Sequence, residues 1–68
     1  MKIIEAAKVV KANLFVMVLV EGKAVPIYIG KPKNLQETND TNLKHYLMQE
    51  IISSEVIGEG ICFTVKEI

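Results

Sequence analysis

The stretch Leu14-Phe15-Val16-Met17-Val18-Leu19-Val20 has no polar side. It is too short for a typical helix and rich in β-branched residues, so it reads as a strand. Side chains alternate along a strand, which puts Leu14, Val16, Val18 and Val20 on one face and Phe15, Met17 and Leu19 on the other. Both sets are apolar, and strands of that kind are covered on both sides. The chain has 68 residues, and one this small hides only about 60% of its unfolded surface. Leaving Phe15, Met17 and Leu19 in water would forgo roughly 1.5–3 kcal/mol for each large side chain. That is comparable with the whole stability of such a domain.

The remaining pattern says what there is to cover the strand with. Glu21-Gly22-Lys23 is a turn of hairpin length, and Ala24 to Ile29 alternates with Val25, Ile27 and Ile29 on one buried side. Pro26 has no N–H for a ladder, which places this strand at an edge or a bulge. Lys2 to Lys11 is open to two readings. With two Ile, two Val, no N-cap residue and a short link onward, a strand is favoured. As a helix, Ile3, Ala6, Ala7 and Val10 would share a face and shield the second side of a monomer.

Lys31-Pro32-Lys33-Asn34 breaks the sheet, and Gln36 to Thr41 is a loop. Asp40 or Thr38 then caps a helix from about Thr41 to Ser54. Leu47, Met48, Ile51 and Ile52 form its apolar face, flanked by Leu43 and Tyr46, with Asn42, His45, Gln49 and Ser53 in water. Gly58 and Gly60 turn the chain into a last strand, Gly60 to Val65. Ile61, Phe63 and Val65 face one way there, and Cys62 and Thr64 the other. The expectation is one α+β domain spanning 1–68: a small antiparallel sheet of order β-β-β-α-β, one helix on one face, and the second face closed by self-association.

Composition narrows the function classes. There is no Arg and no Trp, and Cys62 is the only cysteine. A disulfide framework is excluded, and a structural zinc site is hard to build from one Cys and one His. The N-terminus lacks the apolar run of a secretory signal, and seven apolar residues are far short of the ~20 that span a bilayer. A soluble, cytoplasmic protein is expected. Net charge is zero, yet residues 1–35 carry six Lys against two Glu, and residues 36–68 two Lys against six acids. Such asymmetry can orient partners.

No catalytic constellation is visible, so no enzyme, cofactor or metal is expected. His45 falls on the polar side of the helix with no acid at the right spacing to make it a general acid or base. Cys62 sits in an apolar strand, where a packed thiol is the simpler reading than a nucleophile. Gly58-Glu59-Gly60 lacks the third glycine and following helix of a phosphate-binding turn. Lys31-Pro32-Lys33 is the exposed basic cluster, with Lys23 and Tyr28 nearby. The balanced charge and absence of Arg make nucleic acid the lesser of its possible partners.

Tyr46 to Glu67, a helix leading through Gly60 into Phe63-Thr64-Val65-Lys66-Glu67, resembles the ends of many small phage and mobile-element proteins, the YonK family of prophage proteins among them. It covers about a third of the chain, and it implies a phage or prophage setting. The expected function is a non-catalytic, homo-oligomeric interaction module that binds and inhibits or regulates a host protein. Phe15, Met17 and Leu19 would carry self-association. Tyr28, Lys31, Lys33, Lys44 and His45 would contact a partner or ligand. The alternatives are a nucleic-acid-binding regulator using the Lys-rich N-terminal half, and a small-ligand binder whose pocket forms between subunits, lined by Tyr28, Lys44 or His45.

Overall fold

The computed structural model describes all 68 residues. Its elements are α1 (Ile3–Ala6), β1 (Phe15–Val20), β2 (Tyr28–Gly30), α2 (Pro32–Gln36), α3 (Thr41–Leu47), β3 (Ile51–Ile57) and β4 (Gly60–Val65). The class is α+β as expected, but the order α-β-β-α-α-β-β replaces β-β-β-α-β.

The first departure is at the N-terminus, where residues 3–6 are a helix and further turns run on to Val10. The Glu5 carboxylate accepts a 2.9 Å hydrogen bond from the Lys2 backbone N–H, satisfying a group that helix formation leaves without a partner. Ile3, Ala6 and Ala7 are buried. Their spacing is helical, and that tertiary burial outweighs the local preference of Ile3, Ile4, Val9 and Val10 for extended backbone.

The second departure is just after Gly30. Pro32 occupies the first turn of the short α2, where its missing N–H costs nothing and its fixed φ suits a helix. The segment read only as a break in the sheet thereby places Leu35 in the core, fully buried.

The third departure is the largest. Asp40 caps α3 as anticipated, its Oδ1 accepting from the Leu43 N–H at 3.1 Å, but the helix stops at Leu47. The residues expected to complete it form β3 instead. Ile51, Ile52, Val56 and Ile57 are β-branched, and Gly58-Glu59 makes a two-residue turn back into β4. Gly58 lies at φ +56°, the left-handed region that glycine enters without steric penalty. Met48 and Ile52, assigned to the helix's apolar face, are exposed, and Ile51 alone of the later set packs on the core. The C-terminal resemblance rested on a helix running through this segment, so that part of it does not match the fold.

The sheet is four-stranded and mixed, in the order β2-β1-β4-β3. Two antiparallel hairpins, β1–β2 and β3–β4, lie side by side through the parallel pair β1–β4. Val16, Val18 and Val20 of β1 join Phe63 and Val65 of β4 beneath Ile3, Ala6, Ala7, Leu35, Leu43 and Leu47. All three helices therefore lie over the same face. β2 is an edge strand of only three residues, and Val25, Ile27 and Ile29 are exposed rather than buried. The residue on the core side is Tyr28, opposite Val18. Gly30 admits it: a Cβ there would lie 2.7 Å from the Tyr28 hydroxyl oxygen.

Candidate functional site

The register of the four strands defines the sheet face that no helix covers. Met17 is paired with Ile29 on one side and Cys62 on the other, Phe15 with Gly60, and Leu19 with Thr64. Beyond β4, Glu55 is opposite Cys62 and Ile57 opposite Gly60. Paired residues share a face, so Phe15, Met17, Leu19, Ile29, Ile57 and Cys62 form one apolar stripe, with Thr64 and Glu55 beside it on the same face. Met17 and Leu19 are half-buried by their neighbours, Phe15 is 47% exposed and Ile29 61% exposed. The α1 helix exists, yet it packs with the other helices and leaves these side chains uncovered.

Phe15, Met17, Ile29, Ile57 and Cys62 line a shallow groove of about 410 Å³, with Glu59 its single charged lining residue. The 22 strand residues, at about 4.8 Å between strands and about 3.3 Å each, give the whole face roughly 350 Å² in projection. At one edge the Lys31 ammonium lies 4.5 Å from the centroid of the Phe15 ring and donates to the Asn13 carbonyl at 3.0 Å. A cation over an aromatic face at an exposed site contributes about 0.5–1 kcal/mol.

Of the five residues expected to contact a partner or ligand, only Lys31 reaches this surface. Tyr28 belongs to the opposite side, packed against the core. Its hydroxyl donates to the Lys31 carbonyl at 2.7 Å, and burial raises its pKa. Lys33 is exposed on α2, and Lys44 and His45 are exposed on α3. Tyr28, Lys44 and His45 therefore do not line the groove, and a pocket built from them does not form on the uncovered face.

Cys62 is a packed thiol, 4% exposed. Burial pushes its pKa up, and the Glu55 carboxylate opposite adds to the rise. A nucleophilic thiol requires the reverse shift. His45 and Cys62 lie on opposite sides of the sheet, which keeps them from acting as a pair. No group of three His, Cys, Asp or Glu side chains is placed to hold a metal ion. No helix is long and apolar enough to cross a membrane.

Ile29, Ile57 and Cys62 were not anticipated as part of this surface. The signal for Ile57 was present in Gly58-Glu59, since a Gly-X pair between apolar residues is a hairpin turn and needs a strand on each side. Comparison with family models, curated proteins and solved structures finds no match.

Proposed function

We propose that the chain is a non-catalytic interaction module of the cytoplasm that works as a homo-oligomer through the uncovered sheet face. The observation that carries this reading is the apolar stripe of Phe15, Met17, Leu19, Ile29 and Ile57 beside a buried Cys62, all on a face with no second layer. Its chemistry favours another apolar sheet face over a charged partner. The polar outer sides of α2 and α3, with Lys33, Lys44 and His45, remain for a protein target that the module binds and regulates.

The nucleic-acid reading has less behind it. Lys31 is engaged by the Asn13 carbonyl and the Phe15 ring, and Lys23 by Glu67 at 2.8 Å. Phosphate binding depends on lysines gathered on one face. Sedimentation over a range of concentrations tests the proposal: a concentration-dependent dimer or higher species is expected, and a strict monomer refutes it.

A further inference from the structure

The outer edge of β3 is a second unfinished surface, independent of the sheet face. β3 lies at the end of the sheet order, and every residue after Ile51 is exposed. Natural edge strands are usually guarded by charged side chains, lysine above all, or by proline, a bulge or brevity. Here the irregularity is confined to the start of the strand, between Ile51 and Ser53. The sequence Ile52-Ser53-Ser54-Glu55-Val56-Ile57 contains neither Lys nor Pro, and Glu55 is its single charge. The N-terminal segment covers only the beginning. Lys2 bridges to Glu50, and the Met1 carbonyl accepts from the Ile51 N–H at 2.9 Å. From Ile52 onward the outer edge has no backbone partner, although Val56 lines a shallow hollow with Val9, Val10 and Leu14. Val56 is 77% exposed, the most exposed large apolar side chain of the fold.

We infer that β3 pairs with β3 of a second copy, antiparallel about a two-fold axis at Ser54. An unpaired edge presents backbone donors and acceptors in a row, and the occupant that fits is another extended strand. Symmetry and charge select the register. Centring on Ser54 sets Val56 against Ile52 of the second copy and Glu55 against Ser53. Centring on Glu55 would oppose two carboxylates directly, which is unfavourable. Met1, beside Ile51, and the irregularity at Ile52 close the ladder at each end, leaving Ser53 to Glu55 as the regularly paired stretch with Ile52 and Val56 flanking it. An isologous contact of this kind is self-closing.

The pairing also gives the uncovered face a role it lacks alone. A two-fold axis perpendicular to the sheet keeps both sets of helices on one side. The two open faces become one surface of about 700 Å², close to the ~800 Å² per partner of a standard stable interface, where one copy offers roughly half.

The test is a cysteine placed at the axis. Ser54→Cys should form a disulfide-linked dimer under mild oxidation, because paired residues of neighbouring strands lie within the ~4.4–6.8 Å Cα separation a disulfide accepts. Asn34→Cys, exposed on α2, is the control and should not cross-link comparably. Adding Val56→Lys, which leaves the core untouched, should reduce cross-linking of Ser54→Cys at least tenfold. Adding Phe15→Ala should leave cross-linking intact, which separates this contact from association through the sheet face. Cross-linking no faster than the Asn34→Cys control, or unaffected by Val56→Lys, would overturn the inference.

Discussion

Truncating Phe15 to alanine tests the sheet-face proposal most directly. An aromatic side chain of roughly 200 Å² that is 47% exposed in the subunit leaves about 94 Å² to be covered on association. At about 25 cal/mol per Å² this is worth roughly 2.4 kcal/mol per subunit, or about 4.7 kcal/mol across an isologous dimer. Area converts to affinity with losses, because packing is incomplete and side chains must be ordered. Half of that figure is a reasonable expectation, and it corresponds to a roughly fiftyfold weaker dimer. The subunit also loses the Lys31 contact and the buried half of the ring, so its folding is followed separately by urea titration. Sedimentation equilibrium on wild type and Phe15→Ala, up to about 100 µM, reads the dissociation constants directly. Identical association curves for the two proteins, with Phe15→Ala still folded, would refute the claim that the groove around Phe15 is buried on assembly.

The remaining predictions concern the subunit itself. Leu35→Ala should cost about 3–5 kcal/mol, since Leu35 is fully buried and its loss leaves a cavity; against the roughly 3–10 kcal/mol expected of a chain this size, urea titration should show a largely unfolded population or a sharply lowered midpoint. Gly58→Ala must force a side chain into the left-handed region at φ +56° and should lose roughly 1–2 kcal/mol in the same assay. Tyr28, its pKa raised by burial above the ordinary 10.0, keeps its proton longer when folded. Its contribution is therefore fully present below about pH 10 and is lost as pH rises through the folded value. Tyr28→Phe should flatten the alkaline fall in stability measured by urea titration between pH 9 and 11; an unchanged slope would show that Tyr28 is not responsible.

Particular segments show how much was legible in advance. The β1 alternation was readable because a run with no polar residue fits only a doubly apolar strand, and Asp40 was readable as a cap because its side chain acts locally on Leu43. The helix at Ile3–Ala6 was harder. Its four residues have no helix-forming advantage of their own, and the Glu5 bond back to Lys2 is a small local sign beside two isoleucines. Residues 48–54 read as helix because Leu47, Met48, Ile51 and Ile52 do fall at helical spacing. Periodicity cannot separate that from a strand beginning at Ile51, whereas the Gly58-Glu59 turn can. In the candidate site, Phe15, Met17 and Leu19 were legible from one strand, but Ile29, Ile57 and Cys62 reach them only through cross-strand register.

What the chain's order of residues determined alone was therefore local: that Phe15–Val20 forms a strand apolar on both sides, and that Asp40 caps a helix. Only the tertiary structure decided that β1 and β4 run parallel, that three short helices crowd one face, and that the other face and the β3 edge are left open. The physical reason is that alternation fixes two faces for each strand but not which one a helix will cover. That choice is made collectively, by burying Ile3, Leu35 and Leu47 together against Val16, Val18 and Val20.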